Sequence, residues 1–172
     1  MEPKIIPKQE TLPSFDPNAV AVKYIEYYDS AKAAYSEAKI TPKIISKILK
    51  EVSKGINVYL FLDPDGECDW MEVLSDGEWL YLGRFRLYEN DREDEYFFSY
   101  NPDYASTIAQ ITESNYSDKN VWTELLSGGQ SLIPKVHAVT DMESGVKAVE
   151  FFIRTGGSYP GIHWVQESMS FS

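Results

Sequence analysis

The chain has 172 residues, 43% of them hydrophobic and 14% aromatic, which is typical of one globular domain and argues against intrinsic disorder. A net charge of −11 argues against direct nucleic-acid binding. No apolar run reaches eighteen residues and the N-terminus lacks the apolar core of a signal peptide, so we expect no membrane span and no secretion.

The first forty residues predict an arm followed by a hairpin. Residues 1–18 contain four prolines and are expected to form an irregular N-terminal arm, with a single domain over 19–172. Alternating polarity over 20–28 predicts a strand. The composition of 31–39 favours helix, but the segment is short and uncapped, so we interpret it as the second strand of the hairpin.

Two helices are predicted from their caps and apolar stripes. Thr41-Pro42 is a helix start, and the stripe that follows predicts a helix over about 42–54, ended by Gly55. The second helix, about 141–155, is expected to begin with Thr140 as N-cap in a capping box with Glu143. Gly156-Gly157 is expected to end it, because glycines can take a positive φ.

The remaining pattern predicts a mainly antiparallel sheet. Most segments are short, apolar or alternating, and are bounded by turn residues. The predicted strands are 56–62, 69–74, 78–82 with 85–88 as a possible extension, 96–100 and 161–165. Residues 121–126 are expected to form a short helix. The predicted fold is therefore α+β, a single domain in which a mainly antiparallel sheet packs with two principal helices.

Signals for enzyme chemistry are weak. His137 and His163 lie at no metal-ligand spacing from each other or from Cys68, and Cys68 has no nearby basic partner in sequence. The acidic loop that starts at Asp63 has its glycine at the wrong position for a calcium loop. We therefore expect a binding protein without catalytic residues, metal or cofactor. The lone cysteine, which excludes an internal disulfide, favours the cytoplasm.

Negative charge is concentrated in residues 63–95, which hold twelve acidic side chains and three arginines. Such a cluster either serves solubility or forms a surface for a basic partner. Two segments interleave acids with aromatics or turn residues and are the predicted contact sites. The first comprises Tyr88, Glu89, Asp91, Glu93, Asp94, Glu95 and Tyr96. The second comprises Asp63, Asp65, Glu67 and Asp69.

The C-terminal element resembles the closing signature of a bacterial polymorphic-toxin immunity family, the Imm-one family. That signature is a helix of Ala-x-x-Phe form, then Thr-Gly-Gly, a proline and a tryptophan that closes a strand. The matching residues here are Ala148, Phe151, Thr155, Gly156, Gly157, Pro160 and Trp164. The resemblance spans roughly 20–167, but only the last thirty residues are specific. Ser158-Tyr159 stands where family members commonly have an arginine, and 101–131 resembles an insertion.

The resemblance implies an immunity protein that binds and neutralises a cognate toxin domain. The family is linked to nucleic-acid deaminases and nucleases, whose active clefts are usually basic and which an acidic surface would cover. The partner would then be a protein, with no nucleic acid or membrane bound directly. The signature residues make structural sense as a capped helix and a strand, so they need not touch the toxin.

Two other function classes are open. A small-molecule hydrolase would use a pair of mutually close carboxylates in a concave pocket. A carbohydrate- or peptide-binding module would use the twelve tyrosines, in an exposed aromatic strip flanked by neutral polar groups. A convex acidic surface would instead favour the protein inhibitor.

Overall fold

The computed structural model describes residues 3–28, 34–89, 93–111 and 115–167. The fold is α+β, with a mainly antiparallel sheet and two principal helices, as the sequence predicts. Within the described ranges, no helix has both the length and the apolar character needed to cross a membrane.

The regular elements are numbered here in chain order. The strands are β1 (Lys4–Ile6), β2 (Tyr24–Tyr27), β3 (Ala34–Ser36), β4 (Ile56–Phe61), β5 (Asp69–Ser75), β6 (Leu80–Arg86), β7 (Glu95–Ser99), β8 (Trp122–Ser127), β9 (Ser131–Pro134), β10 (Ala138–Val139) and β11 (Trp164–Glu167). The α-helices are α1 (Pro42–Val52) and α2 (Met142–Thr155). Short 3-10 helices span Glu37–Lys39, Pro102–Gln110 and Lys135–His137.

One antiparallel sheet organises the molecule. Its strand order is β1-β11-β7-β6-β5-β4-β2-β3, and β10 pairs with the first half of β6. The strands β8 and β9 form a separate hairpin. The prediction that 31–39 contains the hairpin partner of the first strand is confirmed, because β3 pairs with β2.

Helix α1 begins at the predicted residue and ends at Val52, two residues earlier than predicted, with Ser53 instead of Gly55 as its C-cap. The Thr41 side chain accepts a hydrogen bond from the Ile44 N–H at 3.3 Å, and Pro42 takes the first helical position, where no N–H is needed. Three residues of the predicted stripe, Ile45, Ile48 and Val52, are buried against the sheet. Burial of this stripe supplies most of the helix's stability.

Helix α2 has a different N-cap from the one predicted. Asp141, not Thr140, caps it, because the Asp141 carboxylate accepts a hydrogen bond from the Ser144 N–H at 3.1 Å. The prediction of a capping box between Thr140 and Glu143 was therefore wrong. The predicted end is confirmed: Gly156 has φ +77°, and its N–H bonds to the Phe152 carbonyl oxygen at 2.8 Å.

Different elements cover the two faces of the sheet. Helices α1 and α2 cover one face, over a core that includes Ile25, Val58 and Phe152. The other face is partly covered by the β8–β9 hairpin and by the 3-10 helix Pro102–Gln110. The buried residues on this side include Leu74 and Tyr81 of the sheet and Leu125 of the hairpin. The end of this second face nearest the β4–β5 and β6–β7 loops carries the features described below.

Three predicted elements need correction. The arm over 1–18 is not irregular throughout, because β1 adds an edge strand to β11. Residues 121–126 form most of strand β8 rather than a helix: Thr123 and Leu125 point inward while Glu124 and Leu126 are exposed, a period of two. The strand predicted at 161–165 begins only at Trp164, where pairing with Ser99 starts.

Candidate interaction surface

The two predicted acidic segments lie at the same end of the sheet. Asp69, the first residue of β5, pairs with Arg86, the last residue of β6, and Arg86 pairs in turn with Glu95 at the start of β7. The Leu87 N–H also donates to the Cys68 carbonyl oxygen at 2.8 Å, which ties the two loops together. The antiparallel register therefore places the two acidic loops side by side at one end of the sheet, which we call the acidic end.

The electrostatic effect of this end is seen at Cys68, the last residue of the β4–β5 loop. The pKa of the Cys68 thiol is raised by burial and by negative charge from both loops, contributed by Asp63, Glu89, Glu67 and Asp65. A raised pKa keeps the thiol protonated at neutral pH. Cys68 therefore has the opposite electrostatic environment to that of a reactive cysteine.

Two acids of the β4–β5 loop are exposed and two have structural roles. The Asp63 carboxylate accepts hydrogen bonds from the N–H groups of Glu67, Cys68 and Asp69 at 2.8, 3.2 and 3.0 Å. Burial favours a higher pKa for Asp63, but these N–H donors outweigh it and lower the pKa. Asp63 thus fixes the loop, while Asp65 and Glu67 face solvent.

Asp69 is committed to a buried arginine. Arg84 is 1% exposed, lies 5.0 Å above the Phe152 ring and donates to the Asp69 carboxylate. Burial lowers the pKa of the Arg84 guanidinium, and the contact with Asp69 opposes that effect. A buried guanidinium needs its counter-charge, so Asp69 serves the core and not a partner.

The acidic residues of the β6–β7 loop likewise include some with structural partners and some that are exposed. Tyr88 donates from its hydroxyl to Glu95, and its N–H donates to Asp94 at 2.9 Å. Tyr96 also lies within 3.4 Å of the second Asp94 oxygen. Glu89 and Glu93 are exposed. The predicted contact residue Asp91 lies outside the described residues.

Beside the acidic end runs a feature that the sequence analysis missed, a row of five aromatic side chains that we call the aromatic row. Each member is the direct cross-strand neighbour of the next, from β2 through β4, β5 and β6 to β7. Adjacent ring centroids lie 5.8, 5.7, 5.1 and 5.8 Å apart. The members are Tyr24, Phe61, Trp70, Phe85 and Tyr96.

The aromatic row lies on the sheet face opposite the helices and is half-buried, except for Phe61, which is buried. Each member stands at the first position of its strand, at its last, or one residue inside it. The available sequence signal was an aromatic residue next to each acidic loop. Only the register, however, puts those residues opposite one another.

One acid on the same face is buried. Glu72 is 3% exposed, and both its carboxylate oxygens accept from the Ser127 hydroxyl at 2.9 Å. Burial raises the pKa of Glu72, although hydrogen bonds from Ser127, Tyr59 and the Gly128 backbone lower it in part. Ser127 and Gly128 thereby tie the β8–β9 hairpin to strand β5.

The histidines have ordinary partners. His163 accepts a hydrogen bond from the Lys8 N–H at its Nδ1 atom, at 3.0 Å, as expected of a structural histidine. His137 stacks on Phe98 with ring centroids 4.9 Å apart and lies 3.3 Å from Glu167. In the described part of the chain, no group of three or more His, Cys, Asp or Glu residues is arranged to hold a metal ion.

The family-signature residues all have structural partners. The Thr155 hydroxyl donates to the Phe151 carbonyl oxygen at 2.7 Å and accepts from the Gly157 N–H at 3.0 Å. The Pro160 carbonyl oxygen accepts from the Gln9 N–H at 2.7 Å. The Trp164 indole N–H donates to the Tyr159 carbonyl oxygen at 2.8 Å. The signature thus closes α2, holds the N-terminal arm and starts β11.

Compared with known proteins, this chain matches no protein-family model, no curated protein and no solved structure. The resemblance to the Imm-one family therefore stays a prediction.

Proposed function

We propose that this chain is an immunity protein that binds a cognate bacterial toxin domain and covers its basic active cleft. The observation that carries the proposal is the convergence of two acidic loops at one end of the sheet, beside the aromatic row. Exposed carboxylates steer a basic partner, and partly exposed aromatic rings supply contact area at low entropic cost. A nucleic-acid deaminase or nuclease fits as the target, because such enzymes bind phosphates through basic clefts.

The exposed acids Asp65, Glu67, Glu89 and Glu93 form the contact set in this proposal. Their carboxylates would occupy positions that substrate phosphates take in the toxin. The structural acids Asp63, Asp69, Asp94 and Glu95 would hold the two loops in shape. The cytoplasm is the expected compartment, because there the immunity protein meets a toxin delivered by a neighbouring cell.

A binding module for a carbohydrate or peptide is the second candidate, and the aromatic row favours it. Neutral polar groups were expected beside a carbohydrate-binding strip, whereas carboxylates flank this row. Flanking negative charge favours a cationic protein ligand over a neutral sugar. The hydrolase alternative has less support, because the carboxylate of buried Glu72 contacts hydroxyl groups and a backbone N–H.

The test is complex formation with the product of the gene immediately upstream. We expect co-purification and a dissociation constant on the order of 1 nM or below, typical of a tight inhibitor. Association should slow as salt rises from about 0.05 to 0.3 M, because salt screens the steering field. A toxin-like upstream product that does not bind would contradict the proposal, whereas tight salt-independent binding would contradict only its electrostatic part.

A further inference from the structure

A small pocket opens on the sheet face that carries the aromatic row. Its volume is about 240 Å³, below the range of about 300–1,000 Å³ typical of drug-sized ligand sites. A single amino-acid side chain suits it better than a metabolite. Six residues from β2, β4, the β4–β5 loop and β5 line it: Glu26, Tyr59, Phe61, Gly66, Glu67 and Trp70.

The walls of this pocket are held in place by the fold. Glu26 is the direct cross-strand neighbour of Tyr59, and Phe61 is that of Trp70. Gly66, with φ +68°, brings the loop over the Tyr24 and Phe61 rings, and a Cβ there would lie 3.4 Å from the Tyr24 ring. The Asp63 carboxylate fixes the same loop. Pre-organised walls reduce the ordering cost of binding.

The chemistry of the lining is aromatic and negative. Glu26 and Glu67 are both exposed, and among the described residues neither forms an ion pair with a lysine or arginine. Two nearby basic side chains have other partners: Lys23, just before β2, pairs with Glu37 at 3.0 Å, and Arg86 lies 3.9 Å from Asp69. Two carboxylates beside a tryptophan and a tyrosine are suited to a cation.

The Tyr59 side chain forms an uncharged wall of the pocket. Burial, together with the charges of Glu72 and Glu26, raises the pKa of Tyr59 to about 12. At neutral pH it therefore adds a ring and a hydroxyl without charge. The negative charge of the pocket comes from its two glutamates.

We propose that this pocket binds an arginine side chain of the partner protein. The planar guanidinium packs against the Trp70 and Tyr59 rings, and its N–H groups donate to Glu26 and Glu67. Arginine suits the pocket better than lysine because its flat, weakly hydrated cation stacks on aromatic rings and donates in several directions. The inference rests on the proposed function, since it names what the toxin domain places here.

The test uses three probe peptides on the whole chain: acetyl-Gly-Arg-Gly-amide, its lysine analogue and its citrulline analogue, which has nearly the same shape as arginine but no charge. Binding is followed by NMR shifts of the Trp70 indole N–H and of the Gly66 and Glu67 amides. We expect the arginine peptide to shift these signals with millimolar-range affinity, as for a single exposed side chain (~1 mM). The lysine peptide should bind more weakly, and citrulline should give no saturable shift.

The variant E26Q/E67Q should weaken arginine binding by about fivefold, because each exposed ion pair contributes only modestly. The matched control E78Q/E124Q removes the same charge from exposed positions outside the pocket and should leave the affinity unchanged. Any one of four results would overturn the proposal. The arginine peptide could bind no better than the citrulline peptide, or no better than the lysine peptide. The two variants could have equal affinity, or the shifts could avoid Trp70 and Gly66.

The outcomes separate this inference from the proposed function. A tight toxin complex together with no response to the arginine peptide would overturn the pocket and leave the immunity function standing. A response to the peptide without any toxin complex would overturn the immunity function and leave a pocket that binds arginine, but without the toxin domain as its source.

Discussion

At the scale of single residues, the acids of this chain serve three different purposes. Glu72 is buried under the β8–β9 hairpin, Asp63 accepts backbone N–H groups and Asp69 pairs with a buried arginine, and Glu67 and Glu89 face solvent. The sequence indicates where acids are dense. It cannot distinguish these purposes, because the Arg84 partner of Asp69 is fifteen residues away and meets it only through the β5–β6 pairing.

Glu72 provides a pH test at this scale. Its pKa is raised in the folded chain, so the folded state holds the proton more tightly than the unfolded state does. Ionised Glu72 therefore costs stability above its raised pKa, and the cost disappears as the pH falls below the ordinary carboxyl value near 4.5.

We expect the unfolding free energy of wild type, relative to that of Glu72→Gln, to rise as the pH falls from about 7 to about 4, because the folded state binds the Glu72 proton more tightly. Urea unfolding at both pH values measures it. The control is Glu124→Gln, an exposed acid on β8. A difference between wild type and Glu72→Gln that stays constant with pH, or moves the other way, would show that Glu72 is not held as described.

At the scale of elements, local signals predicted the helices well and several strands less well. Helix α1 follows from Thr41, Pro42 and a stripe within one window of sequence. Strand β8 was mistaken for a helix because its identity depends on β9, including the bond from the Thr123 hydroxyl to the Ile133 carbonyl oxygen at 2.7 Å. Pairing partners ten residues away outweigh local propensity.

The N-cap of α2 gives the prediction at this scale. Asp141→Ala should lower the unfolding free energy by about 1 kcal/mol, because the Ser144 N–H loses its acceptor. The neighbouring Thr140→Ala is the control and should change it by less than about 0.5 kcal/mol, as for an ordinary exposed position. Thermal or urea unfolding of both variants decides between the two caps. A larger loss at Thr140 would restore the cap predicted from sequence.

At the scale of the whole molecule, charge is the property that the sequence predicted most usefully. Twelve acids in 63–95 predicted an acidic region, and strand register gathers its two loops at one end. The aromatic row and the arginine pocket could not be predicted in this way. Both depend on which residue of one strand lies opposite which residue of the next, and a one-residue slip would turn those rings to the other face.

The residues that carry the family resemblance have structural partners and are none of the proposed contact acids. Thr155, Gly156 and Trp164 work in the closure of α2 and the start of β11. A partner that binds the acidic end would therefore contact residues other than those that close α2 and start β11. Substitutions at the signature residues should therefore lower the unfolding free energy without changing which partner the protein binds.

The most direct test of electrostatic docking is the association rate with the upstream gene product, measured by stopped flow at low salt. The charge-reversal variant E67K/E89K/E93K should associate at least about tenfold more slowly than wild type, because these exposed acids supply the steering field. The control E10K/E78K/E124K changes the net charge equally at exposed positions outside both acidic loops and should associate nearly as fast as wild type. Equal slowing of both variants would show that only net charge matters. An unchanged rate in E67K/E89K/E93K would contradict docking through this end of the sheet.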